Sequence, residues 1–300
     1  MSRLFEALQK SEPEFSFEFP VAMQLTDEPL KPVKTESPQK QSEEFEHDQR
    51  AKPDSALAPE PAQQLPSVPV VIKPGSRLVC LTQKDSLAAE KFRFLAVRLS
   101  QLQQNRAVKK LLVTSTIPEE GKSMISANLA LSLARKKRQR IVLVEGDLRR
   151  PTLCESFGLR NLPGVSEWLK SGSCEITNVY HIDEAGLWFL PAGSPSENPM
   201  ELMQSGRLVE LMEQLVMWFD WIVIDSPPVL PLADTSVWSR LADGILLVAR
   251  EGTTKKRELQ RGLDTLDHSK LLGLVLNSSE SSGQLLSALR CGPGLRAGQN

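Results

Sequence analysis

The chain has 300 residues, 40% of them apolar, and 36 Lys and Arg against 37 Asp and Glu, a formal net charge of −1. That balance gives no general electrostatic case for nucleic acid. Four cysteines without paired metal spacing (Cys80, Cys154, Cys174, Cys291) read as reduced thiols in a cytoplasmic setting.

The opening "MSRLFEALQKSE" lacks the apolar core of a secretion signal, and no apolar run reaches about 18 residues. The chain is therefore expected to be soluble, with any membrane role coming through a partner. Leu4, Phe5 and Leu8 share one face of a short helix, which reads either as a transient helix or as a docking segment. Residues 1–75 hold eleven of the 21 prolines and few aliphatic runs, so this stretch is expected to be a disordered tail. Residues 76–285 carry enough Leu, Val, Ile and Ala for one core, and 286–300 read as a flexible tail.

Within 76–285, "KDSLAAEKFRFLAVRLSQLQQ" (84–104) has helical periodicity, with Leu87, Phe94, Leu95, Val97 and Leu99 apolar. "VKKLLVTST" (108–116) is a short apolar strand, followed by a helix from Lys122 that ends in a basic turn. Further strands are predicted in "RIVLVEGD", "FDWIVIDSPP" (219–228), "DGILLVARE" (243–251) and "LLGLVLNSS" (271–279), with helices at 198–218, 232–241 and 254–267. Near-continuous apolar strands alternating with helices predict an α/β, doubly wound, mainly parallel sheet covered on both faces. Ligands of such sheets bind outside the carboxyl ends of the strands, so the polar residues there are the ones to inspect.

Three strand ends stand out. After the first comes "TSTIPEEGKSM" (114–124), closing in Gly121-Lys122-Ser123 ahead of a helix whose N-terminus is a natural phosphate seat. Gly121 would let the backbone approach an anion, Lys122 would reach β- and γ-phosphates, and the Ser123 hydroxyl would join a Mg²⁺ shell. After the second strand stand Glu145 and Asp147, a pair that can hold Mg²⁺ through water or deprotonate a hydroxyl. Taken alone the pair reads better as a solvated acidic loop matched by Arg149 and Arg150. After the third stands Asp225, placed like a Walker-B aspartate, although a lone strand-ending Asp is also a common turn former. The conjunction of all three on adjacent strands argues for a nucleotide site.

The order "TSTIPEEGKS … IVLVEGDLRRP … LPAGSPSENPMELMQS … FDWIVIDSPPVLPLADT … DGILLVAREGTTKKREL … LLGLVLN" resembles the bacterial tyrosine autokinases of capsular and exopolysaccharide synthesis, relatives of the partition and division-site P-loop ATPases. The resemblance covers about 80–278. It implies ATP and Mg²⁺ as cofactors and transfer of the γ-phosphoryl group to tyrosine, or ATP hydrolysis. It implies Lys122, Glu145, Asp147 and Asp225 as catalytic residues and Ser123, Asp147 and Asp225 around the metal. Pro118, Glu119, Glu120, Gly121, Lys122, Ser123 and Met124 would form the phosphate loop, and Asn277 would lie near adenine. The implied partner is a membrane polysaccharide co-polymerase or chain-length regulator, with homo-oligomerisation, no nucleic acid, and a place at the inner face of the plasma membrane. The alternatives are a non-catalytic ATP-binding regulator and a partition-type positioning ATPase.

Four departures qualify the match. Glu119 replaces the usual loop glycine, and Glu145 stands where Asp is usual. The single tyrosine, Tyr180, is expected in an irregular stretch, and "SSESSGQLLSALRCGPGLRAGQN" holds none. The family's assembly motif survives only as Glu90 and Arg93, with Ala96 in its last position.

Overall fold

The computed structural model of the protein describes residues 17–18, 65–73, 75–136, 139–196, 198–230 and 233–277. The expected helix around Leu4, Phe5 and Leu8 and the tail 286–300 lie outside these. The strands are β1 (Phe17–Glu18), β2 (Lys110–Ser115), β3 (Ile141–Glu145), β4 (Tyr180–Ile182), β5 (Leu187–Leu190), β6 (Trp221–Asp225), β7 (Gly244–Arg250) and β8 (Leu271–Asn277). The helices are α1 (Val79–Thr82), α2 (Leu87–Asn105), α3 (Lys122–Ala134), α4 (Leu153–Ser156), α5 (Val165–Ser171), α6 (Pro199–Gln204), α7 (Arg207–Trp218), α8 (Asp234–Leu241) and α9 (Lys256–Thr265).

The strands form one sheet in the order β1-β8-β7-β2-β6-β3-β5-β4. β2 runs parallel to β6 and β7, β3 to β5 and β6, and β7 to β8, while the outer β1 and β4 are antiparallel to their neighbours. This is the expected doubly wound α/β architecture. Side chains alternate along each strand between two cores. Leu111, Val113, Leu143 and Val223 pack with α2 and α3 on one face. Leu112, Val142, Val144 and Ile224 pack with α5, α7 and α8 on the other.

Several local expectations change. Phe94 and Val97 of α2 are 51% and 45% exposed, and the buried face is Phe92, Leu95, Ala96, Leu99 and Leu102. Those five follow the 3.6-residue period, which turns 94 and 97 outward, and the Arg98 guanidinium covers the Phe94 ring at 5.1 Å. The helix expected over 198–218 is two, separated by Ser205 and a left-handed Gly206 (φ 80). Tyr180 opens the edge strand β4 instead of lying in irregular chain. Two described stretches of the expected tail 1–75 contact the domain: β1 pairs with β8, and residues 65–73 pack on its core. Val68, Val70 and Ile72, every second residue of "SVPVVIK", pack against the core, and residues 66–68 bond to His181.

Candidate functional site

β2 ends at Ser115, and the chain turns through Thr116–Gly121 into α3. Gly121 is the left-handed N-cap of α3 (φ 92), and a Cβ there would come 2.3 Å from Asn277 Nδ2. Only glycine allows both that φ and that approach. Glu119 has φ 66 and is the one non-glycine residue with positive φ among the described residues. An L-residue so placed costs about 1–2 kcal/mol. Glu119 therefore stands in a true glycine position of the loop and carries its strain.

The neighbouring Glu120 does not face the loop mouth. It is fully buried, with Oε2 accepting from the Ile117 N–H at 2.9 Å and Oε1 from the Thr254 hydroxyl. Burial, against the pull of these hydrogen bonds, raises its carboxyl above the ordinary glutamate value. Asn277 Nδ2 donates to the Glu120 carbonyl at 2.9 Å, so Asn277 braces the loop. Pro118 turns away with Ile117 to line a cleft of about 1100 Å³ between α8 and α9, which Lys122, Asp147 and Asp225 do not line. Met124 packs against the core.

Lys122 points across the carboxyl ends of the central strands. Its Nζ lies 3.3 Å from Asp147 Oδ2 and 3.3 Å from Ser123 Oγ. Burial alone would lower the Lys122 ammonium, but Asp225, Asp147 and Glu145 outweigh it and hold it above the ordinary lysine value. Asp225 is buried at the end of β6, and its Oδ1 has no hydrogen-bond partner among the described residues. Burial raises its pKa, with Lys122 and the Ser123 hydroxyl opposing.

Glu145 and Asp147 are 0% and 5% exposed, which removes the reading as a solvated acidic loop. Glu145 sits in register with Asp225 across β3 and β6. Its Oε1 accepts from the Thr152 and Leu153 N–H groups, both at 2.6 Å, and its Oε2 from the Ala192 N–H at 3.2 Å. Both oxygens are thus engaged in anchoring backbone, and burial pushes the carboxyl up to about 7. Asp147 keeps one oxygen toward Lys122 while Oδ1 accepts from the Arg150 N–H at 3.0 Å. Of the two acids, Asp147 is the one turned to the loop mouth.

Sequence reasoning missed what holds Asp147 there. Between the two acids lies Gly146, whose N–H donates to the Asp225 carbonyl at 2.7 Å. A Cβ on Gly146 would meet the Trp238 ring at 2.8 Å. Trp238 Nε1 donates to the Gly146 carbonyl at 3.0 Å. Asp234, also on α8, grips Arg149 through Nε (2.6 Å) and Nη2 (3.2 Å). Asp234 had a readable signal, an acidic residue opening a helix after the third motif. Trp238 had none.

Among the described residues no group of three or more His, Cys, Asp and Glu is arranged to hold a metal. A hydroxyl beside carboxylates, at a helix N-terminus that seats phosphate, fits Mg²⁺ held mainly by phosphate oxygens and water.

A strand–loop–helix phosphate seat faced by carboxylates from two neighbouring parallel strands defines a P-loop α/β domain. No family model matches the chain. Over 214 residues it is 32% identical to tyrosine-protein kinase YwqD of Bacillus subtilis, covering 69% of this chain and 90% of that protein. Tyrosine-protein kinase CpsD of Streptococcus pneumoniae is 34% identical over 179 residues, 58% of this chain and 78% of its own. Other relatives are much longer: the chain spans 28% of tyrosine-protein kinase ptk of Acinetobacter johnsonii, at 30% identity over 68% of this chain. Among solved structures, the kinase domain of the Escherichia coli tyrosine kinase ETK matches with a TM-score of 0.63 and 27% identity, over 68% of this chain and 82% of that one. The chimerical protein CapA2B2 matches at 0.64 and 30%, over 74% and 97%. The chain belongs to the bacterial tyrosine-protein kinases.

Proposed function

We propose that the chain transfers the γ-phosphoryl group of ATP to a tyrosine hydroxyl, with Mg²⁺, in a system that makes or exports capsular or exopolysaccharide. The observation that carries this reading is the Lys122 ammonium 3.3 Å from Asp147, beside the unpartnered Asp225 oxygen, at the mouth of a helix-capped loop. The amides at the start of α3 bind phosphate, and Lys122 follows the charge onto the transferred group. The Ser123 hydroxyl and Asp225 would hold the metal, directly or through water. Mg²⁺, when bound, neutralises charge on the phosphate oxygens. Asp147 accepts the proton of the attacking hydroxyl, and Glu145 fixes the loop that carries it.

The acceptor is read as a tyrosine of another chain. Tyr180 is the only tyrosine of the sequence. It is half-buried on β4, two strands beyond β3, and its hydroxyl donates to the Pro163 carbonyl at 3.3 Å. Burial, then Glu167 and Cys154, raises its pKa and makes it a poorer nucleophile. The proposed partner is a membrane polysaccharide co-polymerase or chain-length regulator. No described helix is long and apolar enough to cross a membrane, which suits a peripheral place at the inner face. Phe94 and Val97, exposed beside the Glu90–Arg93 ion pair on α2, support self-association through that helix.

Incubation with γ-labelled ATP and Mg²⁺, with and without a tyrosine-containing acceptor, tests the reading. Label on tyrosine, or released phosphate, that disappears in Lys122→Ala is expected. Equal turnover in wild type and Lys122→Ala would overturn it.

A further inference from the structure

Loops whose amides converge on one anion bring like dipole ends together, and here a left-handed Glu119 adds strain. Such a conformation persists only where the surroundings over-determine it. Three donors from the ends of β7 and β8 converge on residues 119 and 120. Arg250 Nη1 donates to the Glu119 carbonyl at 3.3 Å, Asn277 Nδ2 to the Glu120 carbonyl at 2.9 Å, and the Thr254 hydroxyl to Glu120 Oε1. All three donor residues are themselves tied down. The Arg250 N–H donates to Thr254 Oγ1 at 2.8 Å, and the Glu251 N–H to the Asn277 carbonyl at 3.1 Å. From the other side, Glu120 Oε2 takes the Ile117 N–H at 2.9 Å, so one carboxylate spans the loop from its start to the turn at 250–254.

We propose that Glu120 and Thr254 are positioning residues of the phosphate loop. Glu120 is an internal clasp that ties Ile117 to Thr254 and holds the strained Glu119 peptide in its cradle shape before any ligand arrives. Neither side chain touches phosphate. The clasp sets the directions of the amides between 117 and 121 and joins them to the turn that leads into α9. Its consequence for ligand binding rests on the phosphate-seat reading above, whereas its effect on the empty loop does not.

The test uses the full chain as wild type, Thr254→Val, Thr254→Ser and Glu120→Gln. Thr254 is half-buried at a turn, so removing its hydroxyl leaves the core packing intact. Amide hydrogen exchange is read without nucleotide at 117–121, with β2 and β6 as internal references, and Mg·ADP binding is read at equilibrium. In Thr254→Val and Glu120→Gln, loop exchange about tenfold faster with the reference strands unmoved is expected, and Mg·ADP binding about tenfold weaker. Thr254→Ser, which restores the hydroxyl, is expected to restore both. Unchanged loop exchange, faster exchange in loop and strands alike, or failure of Thr254→Ser to recover would each overturn the proposal. A wild type that binds no Mg·ADP removes the phosphate-seat reading, and the exchange arm still decides the clasp.

Discussion

Glu119 is where local chemistry and the loop's shape disagree most sharply. At φ 66 it holds a conformation glycine adopts freely. Glu119→Gly is expected to stabilise the protein by about 1 kcal/mol, because strain relief exceeds the extra freedom glycine gives the unfolded chain. For a domain near 200 residues that is a rise of about 2–4 °C in Tm, readable by calorimetry. The position was legible in the sequence, since the phosphate loop of a strand–loop–helix unit has few allowed shapes. The neighbouring Glu120 was not: a charged side chain in a loop is expected outward, and only the fold brings Thr254 to meet it. Glu145 gives the second residue-scale expectation. Its folded pKa is raised to about 7 from an ordinary 4.5, so between those values the folded state binds more protons than the unfolded one. Stability from this group is complete below about 4.5 and is lost as pH rises through about 7. Urea midpoints taken from pH 5 to 8 should fall for wild type, and the Glu145→Gln series should lack that part of the slope.

At the scale of elements, the parallel strands and their covering helices were legible because each strand is a continuous apolar run bounded by charge. β4 and β5, of three and four residues, were too short for any period to declare itself. The Gly206 break within 198–218 was hidden by apolar residues on both sides of it. The unforeseen element-scale device is α8, which holds the acidic loop at two points through Trp238 to Gly146 and Asp234 to Arg149. The phosphate loop is braced separately, from β7 and β8. Nucleotide binding and placement of Asp147 thus rest on different elements, and they should separate in kinetics. Trp238→Phe keeps the ring that packs on Gly146 and removes the N–H, leaving a buried carbonyl unpaired. With Asp147 as the base of the proposed reaction, a fall of about tenfold in kcat with little change in the KM for ATP is expected, since a small misplacement of that carboxylate weakens the transition state alone. Parallel changes in both constants would assign α8 to binding instead.

Across the whole molecule, the segment at 65–73 adds to the folded unit a stretch that composition placed in the tail. It was placed there because Pro66 and Pro69 interrupt it and only three of its apolar residues alternate. Proline suits it well here: lying along an edge, it needs few ladder hydrogen bonds. It lies along β4, with the Val68 N–H to the His181 carbonyl at 2.9 Å and the His181 N–H to the Pro66 carbonyl at 2.9 Å. Asp183 ties its start by accepting from Ser67 Oγ at 2.5 Å, and Lys73 pairs with Glu155 on α4 at 3.3 Å. Beyond it, the Arg77 carbonyl accepts from Asn128 Nδ2 at 2.9 Å, and Asn128 Oδ1 accepts from the Cys80 N–H at 3.0 Å, which joins the chain after the segment to α3. The exposed Lys73–Glu155 pair contributes little. The half-buried Val68, Val70 and Ile72 contribute most, each about 1 kcal/mol for burying part of its apolar surface. A chain starting at residue 65 should therefore be more stable than one starting at 76, by about 2–4 kcal/mol in denaturant unfolding. The loss should appear first as faster amide exchange in β4 and α4, which the segment covers, and later in β2 and β6. Equal stability of the two truncated chains would mean that the domain closes at 76 and that the segment merely rests on it.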